Sequence, residues 1–290
     1  MAHVDDEIAS QPDCWQRAVE LAPVFEISLP RRGHRVAVLG CGTSWFVAQA
    51  YAVLRERAGH GETDAYPASE FRRGRRYDRI VAISRSGTTT EVRDALAALP
   101  PHTPTTVLTA VPDAPAAKLA TDPVPLPFAD EQSVVQTRFA TSALALLRAH
   151  LGEDLTTARR DAADALDAAL PLDPSATSQV TFVARGWAVG LAHEAALKCR
   201  EAAGFWAEAY PAMEYRHGPI AVAGPGRAVW SLGPSPLEED VRATGAAFVH
   251  SGRDPMAELV LAQRFAVALA VHSGLDPDAP RHLSRSVILA

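Results

Sequence analysis

Two loops and one helix carry the residues with chemistry to do. The loops are Gly40-Cys41-Gly42-Thr43-Ser44 and Ser84-Arg85-Ser86-Gly87-Thr88-Thr89-Thr90, each lying between a β-branched apolar run and a helical stretch. Glycines let backbone approach a ligand closely. The first N–H groups of the helix that follows lack intrahelical partners, and its dipole favours an anion. The hydroxyls of Ser44, Ser84, Ser86 and Thr89 add hydrogen-bond donors. This combination suits one phosphate monoester. Hydroxyl side chains also cap helices, but two such loops at one edge of a sheet favour the anion. Neither is a nucleotide loop. No Gly-Lys-Ser/Thr follows the glycines, and Trp45 stands where the dinucleotide fingerprint needs its third glycine.

The helix spans 188–203. On it Glu194, Lys198 and Glu201 fall at i, i+4 and i+7, one stripe of one face. A solvated, salt-bridged face is the ordinary meaning of such a stripe. Here, however, Leu191 and Leu197 flank it, while Ala192, Ala195, Ala196, Cys199 and Ala203 form the other side, suited to close packing. Downstream, His217 lies between Arg216 and Gly218-Pro219, which places it in an accessible loop. Taken alone, a loop histidine carries no assignment.

The elements that must position these residues follow from alternation. Short β-branched runs at 35–39, 80–83, 106–109 and 180–184, with weaker ones at 228–232 and 247–250, predict strands. Ala/Leu-rich stretches at 45–58, 90–98, 132–149, 188–203 and 256–272 predict helices, with a further helix over 151–170 ended by Pro171. This is the βαβ pattern of an α/β protein with parallel sheets, whose ligands bind at the carboxyl ends of strands, where both loops fall. The proline-containing segment 170–178 reads as a linker, so two domains are expected, 1–170 with the phosphate loops and 171–290 with the charged helix. The halves open alike, Val36-Ala-Val-Leu-Gly40 against Val180-Thr-Phe-Val-Ala-Arg-Gly186, which suggests an internal repeat. The basic run Arg72-Arg73-Gly74-Arg75-Arg76 reads as a solvated loop before a strand.

Composition sets outer limits. With 28 Lys+Arg against 34 Asp+Glu the net charge is −6, which argues against nonspecific nucleic-acid binding. Three cysteines without paired spacing exclude a disulfide scaffold, and no cluster has metal-ligand spacing, so neither metal nor cofactor is expected. No apolar run approaches the ~20 residues of a membrane span. The acidic start, Asp5-Asp6-Glu7, lacks the apolar region of a signal peptide, so a soluble, cytoplasmic protein is expected.

These residues resemble a family. Glu7-Ile-Ala-Ser-Gln-Pro12, Gly40-Cys-Gly-Thr-Ser44, Ala68-Ser-Glu-Phe71, Ile83-Ser-Arg-Ser-Gly-Thr-Thr89, Glu194-Ala-Ala-Leu-Lys-Cys-Arg-Glu201, Ala207-Glu-Ala-Tyr-Pro211, His217-Gly-Pro219 and Asp278-Ala-Pro-Arg-His-Leu-Ser-Arg-Ser286 follow one another as in the sugar isomerase (SIS) domain proteins. The chain is most similar to the isomerase half of glucosamine-6-phosphate synthase and to stand-alone amino-sugar-phosphate deaminases and isomerases. The resemblance implies two tandem SIS units, each a parallel sheet between helices. It assigns phosphate binding to Gly42, Thr43, Ser44, Ser84, Arg85, Ser86 and Thr89. It makes Glu201 the base that moves a proton between C1 and C2 of the opened sugar, and His217 the ring-opening group, lent by a second subunit of a homodimer. Lys198 would offset charge near the sugar oxygens and keep Glu201 ionised, while Glu194 pairs with Lys198.

Three departures from the synthase stand out. The glutaminase domain is missing, so glutamine is not expected as nitrogen donor. Arg85 replaces a Gln of the second phosphate loop and is expected to add charge-assisted binding. Arg285 replaces the tail Lys able to form a Schiff base, and arginine stays protonated and cannot do imine chemistry. The second half is short, so its sheet is expected to have lost a strand. The implied activity is aldose–ketose proton transfer on an amino-hexose 6-phosphate with ammonia release. The alternatives are a fructosamine-6-phosphate deglycase, in which Arg85 or Arg216 would take the substrate's carboxylate, and a non-catalytic sugar-phosphate sensor.

Overall fold

The computed structural model describes residues 2–289 except Arg73, so the middle of the basic run lies outside the described residues. In chain order the helices are α1 (His3–Ala9), α2 (Gln11–Leu21), α3 (Thr43–Arg57), α4 (Thr90–Ala97), α5 (Pro115–Leu119), α6 (Arg138–His150), α7 (Thr156–Asp167), α8 (Ala188–Ala203), α9 (Glu238–Ala243) and α10 (Pro255–His272). The strands are β1 (Val36–Gly40), β2 (Thr63–Pro67), β3 (Arg79–Ile83), β4 (Thr105–Thr109), β5 (Asp122–Pro125), β6 (Gln179–Ala184), β7 (Ala207–Pro211), β8 (Arg227–Ser231) and β9 (Ala247–Val249). Among the described residues no helix is long and apolar enough to cross a membrane.

Two parallel sheets result, ordered β2-β1-β3-β4-β5 and β7-β6-β8-β9. The second has four strands, one fewer than the first. Inner strands β1, β4 and β6 are buried along their whole length, as strands covered on both faces must be. The three strands that alternation does not reveal, β2 (TDAYP), β5 (DPVP) and β7 (AEAYP), all lie at sheet edges. A proline costs a ladder hydrogen bond and is tolerated there.

The chain divides into two compact units, and not where the linker was expected. The first-sheet unit comprises Asp13–Glu131, Gln136–Leu155 and the tail from Ser284. The second-sheet unit comprises the chain through Pro12, Gln132–Val135 and Thr156–Leu283. Segment 170–178 therefore joins α7 to β6 within one unit and is no interdomain linker. Burial explains the exchange of termini. In the second-sheet unit the Glu7 carboxylate accepts from the N–H groups of Gln132 (2.5 Å) and Ser133 (3.2 Å), and buried Gln11 donates to Gln263 (2.7 Å). Those bonds also hold 132–135 out of the helix predicted over 132–149, which begins only at Arg138. In the first-sheet unit, fully buried Trp15 donates from its indole to Thr141 (2.9 Å). The core below that sheet includes Leu39, Tyr66, Ile80, Val92, Leu96 and Val107.

Candidate active site

Both hydroxyl loops sit at the carboxyl edge of the first sheet. Gly40 ends β1 where no other residue fits, since a Cβ there would lie 2.4 Å from the backbone of Ser44 in the first turn of α3. Gly42, at φ +52, makes the turn, and Thr43 opens the helix in a buried position. The second loop closes on itself: the Ser84 hydroxyl accepts from Gly87 N–H (3.2 Å), and the Ser86 hydroxyl accepts from the Thr88 N–H (3.2 Å) and hydroxyl (2.9 Å). Gly87, at φ +62, could not carry a Cβ either, because Ala114 stands 2.4 Å from its place.

The loops share one small crevice. Ser44, Ser84, Ser86 and Thr89 all line it, with Cys41 and Gln136. Its volume of about 30 Å³ has room for about two waters, the scale of a phosphoryl group rather than a hexose ring. Gly42 and Thr43 shape the turn and do not line the crevice. Burial, and then the charge of Glu91, push the Cys41 thiol up to about 11.

Arg85 and Arg285 line the same crevice, but their charges are already committed. Arg85 is 2% exposed and pairs with the buried carboxylate of Glu131 (3.4 Å), and it donates to the Arg285 carbonyl (3.0 Å). Glu131 also accepts from the Thr137 N–H (2.5 Å) and hydroxyl (3.0 Å). Arg285 donates to the Asp130 carboxylate and the Glu131 carbonyl. The sequence led to the expectation that Arg85 would add charge-assisted binding of the phosphate. Instead, its guanidinium neutralises Glu131. The tail beyond Arg285 lies on the second loop: the Thr88 and Ser286 hydroxyls are 2.9 Å apart, within hydrogen-bond distance, and the Val287 carbonyl accepts from Thr90 N–H at the start of α4 (3.2 Å). Glu131, Gln136 and Ser286 carry no glycine or periodic signal, so the sequence did not mark them.

In the second-sheet unit the stripe on α8 is buried rather than solvated. Glu194 and Lys198 are each 1% exposed. Lys198 Nζ lies 3.3 Å from Glu194 and 2.5 Å from Glu201. A buried ammonium needs such partners, because leaving one charge unpaired there costs several kcal/mol. Burial favours the neutral amine, but Glu194 and then Glu201 outweigh it and hold Lys198 above its usual pKa. Glu201 alone of the three reaches a cavity, of about 430 Å³, at the C-terminal end of α8. Gly204, at φ +59, ends that helix. His217 is exposed on the loop after β7, its N–H donating to Glu214 (3.0 Å). Arg216 is bound to Asp240 at 2.6 Å, so neither arginine considered for a substrate carboxylate is uncommitted. Among the described residues no group of three or more His, Cys, Asp or Glu is placed to hold a metal ion.

Two parallel sheets, a hydroxyl crevice and a buried Glu-Lys-Glu stripe define the class of protein: an α/β fold of two parallel-sheet units, each with helices around its sheet. Comparison with known proteins sharpens this. The chain is 28% identical, over 87% of its length, to the isomerizing glutamine–fructose-6-phosphate aminotransferase of Sulfolobus acidocaldarius, covering 50% of that protein. It is 25% identical, over 97% of its length, to that of Sulfurisphaera tokodaii, covering 53%. The chain thus spans about half the length of the curated relatives it matches. No family model matches it. Among solved structures, a glucosamine-6-phosphate deaminase from Thermotoga maritima superposes with a TM-score of 0.82 at 24% identity, over 99% of this chain and 100% of that one. A tagatose-6-phosphate ketose/aldose isomerase from Escherichia coli gives 0.81 at 16% identity, over 99% and 96%. At these identities the solved structures establish the fold.

Proposed function

We propose that this protein is a sugar-phosphate isomerase that acts on an amino-hexose 6-phosphate, moving a proton between C1 and C2 and releasing ammonia. The observation that carries the reading is Glu201, a carboxylate paired with a buried lysine and open to a cavity. Proton shuttling needs a base that is fixed in place and reachable by the substrate. Ser44, Ser84, Ser86 and Thr89 would hold the phosphate. Glu201 would take the C2 proton of the opened sugar and return it to C1. The resulting C2 imine would add water and lose ammonia, leaving the ketose 6-phosphate. Lys198 would pair with Glu201 and offset charge near the sugar oxygens, and Glu194 would hold Lys198. His217, exposed in the single chain, would open the ring of a substrate held by a second subunit.

A panel of hexose and amino-hexose 6-phosphates, assayed for ketose and for ammonia, tests this directly. Glucosamine 6-phosphate should yield equal amounts of both. Tight binding of sugar phosphates with no turnover of any would instead favour a sensor. For the shared site, mixing Glu201→Gln with His217→Ala protein should restore activity to part of the hybrid dimers. Mixtures that stay inactive after proven subunit exchange would rule sharing out.

A further inference from the structure

The cavity that Glu201 opens onto has a second titratable side chain on its wall. His282 and Arg281 line it, with Asp276 and Arg200. The segment that carries His282 is fastened from several sides. Leu275 N–H donates to Ala270 at the end of α10 (2.9 Å). The Asp278 carboxylate accepts from the N–H groups of His3 (2.6 Å) and Val4 (2.8 Å), and its carbonyl accepts from Val134 N–H (3.2 Å). At the end of this clamped run His282 sits at φ +64, one of two non-glycine residues with positive φ among those described. That region is sparsely populated for side-chain-bearing residues, and such outliers gather at functional sites. The exposed imidazole makes no hydrogen bond or ion pair with the described residues. By contrast, Arg200 donates to the Ala207 carbonyl (2.7 Å), Glu201 holds Lys198, and His217 does not line this cavity.

Proton transfer along a sugar needs two groups, one for the carbon-bound proton and one for the oxygen. We propose that His282 is the second, a further catalytic residue supplied by the same chain as Glu201. The proposal rests on the isomerase reading above. Starting from the ketose, the Glu201 carboxylate takes a proton from C1, a C1=C2 bond forms, and the C2 carbonyl oxygen takes a proton from the His282 imidazolium, giving the enediol. In the return step the protonated Glu201 delivers its proton to C1 while the imidazole recovers the one on O2, regenerating the ketose. Alternatively, Glu201 delivers to C2 while the imidazole takes the O1 proton, giving the aldose. Both side chains end as they began. At about 430 Å³ the cavity lies within the usual range for small-molecule sites.

The test reads deuterium exchange from solvent into C1 of fructose 6-phosphate and of 5-deoxyfructose 6-phosphate, which cannot close to a ring. His282→Asn and His282→Gly are the variants, because both residues accept a positive φ. Each should lose exchange by about 10²-fold or more on both substrates, the scale of general acid–base catalysis. Added imidazole should restore part of it to His282→Gly. His217→Ala, as a ring opener, should lose exchange on the cyclic sugar and keep it on the open-chain one. Wild-type protein that turns over no hexose 6-phosphate overturns the reading and this proposal together. Active wild type with His282→Asn within twofold of it overturns the proposal alone. So does a loss that imidazole does not restore, which marks a structural residue.

Discussion

The crevice of the first-sheet unit and the stripe of the second solve opposite electrostatic problems. In the crevice every nearby arginine is spent on a protein acid, Arg85 on Glu131 and Arg285 on Asp130, so the surface left for a ligand is hydroxyl and backbone. On α8 one lysine serves two acids, and the carboxyl group that opens to a cavity is Glu201. In the proposed reading, the first arrangement would bind an anion by hydrogen bonds without burying an unpaired cation, and the second would set a base beside a buried cation. What differs is where charge is left over, and on that reading the difference would separate a binding surface from a reactive one.

The comparison breaks first at Glu201. Glu201→Gln keeps size and hydrogen bonding but removes the base, and should cut turnover by about 10²–10⁴-fold, with phosphate-dependent binding nearly intact. Glu194→Gln should cost less. Exchange of the C2 proton with deuterated solvent decides between them: exchange that persists in Glu201→Gln but vanishes in Glu194→Gln would move the role to Glu194.

Next comes the ion set itself. Lys198→Met leaves two acids without their buried cation and should destabilise the fold by about 3–5 kcal/mol, measured by denaturant unfolding. Pairing raises the Lys198 pKa above its unfolded value of 10.5, so its contribution is full below that pH and is lost as pH climbs through the raised value. The wild-type advantage over Lys198→Met should therefore shrink only in strongly alkaline solution. An advantage that already fades between pH 6 and 9 would contradict the pairing.

On the crevice side, Ser84→Ala and Ser86→Ala each remove a hydroxyl that can meet a charged phosphate oxygen. A hydrogen bond of that kind contributes about 1.5–3 kcal/mol, so KM should rise about tenfold to a hundredfold with kcat little changed. A fall in kcat at constant KM would place the serines in the reaction rather than in binding.

The smallest effect is on Cys41. With its thiol pushed up to about 11, only about one molecule in 10³ is thiolate at pH 8. Its alkylation by iodoacetamide should be slow, climb about tenfold per pH unit to pH 10, and slow further with sugar phosphate in the crevice. A plateau near pH 8–9 would show that the crevice does not shield this thiol.

Much of the architecture was legible. The four clearest predicted strands and the two weaker ones correspond to β1, β3, β4, β6, β8 and β9; the first five are inner strands, whose burial favours apolar and β-branched residues, and edge strand β9 shows because Ala247-Phe248-Val249 is an unbroken apolar run. Edge strands β2, β5 and β7 escaped notice because only part of each is buried, and Asp64, Pro123 and Glu208 interrupt the apolar pattern. Short α1 and α9 carry too few turns to show a period. Segment 170–178 has the composition of a linker, yet the units part company elsewhere, because buried polar bonds from Glu7 and Gln11 tie the N-terminus to the second-sheet unit.

By itself, the sequence determined what local chemistry requires. Glycines at 40, 42 and 87 hold turns that a Cβ or a negative φ would forbid, and the helical period puts Glu194, Lys198 and Glu201 on one face. Only the tertiary structure decided which charges remain available. Whether Arg85 faces a ligand or Glu131, whether the stripe is solvated or buried, and which histidine shares a cavity with Glu201 all depend on contacts between residues far apart in the chain. Burial sets the strength of a charge's partners and the cost of lacking them, and no local pattern encodes burial of that kind.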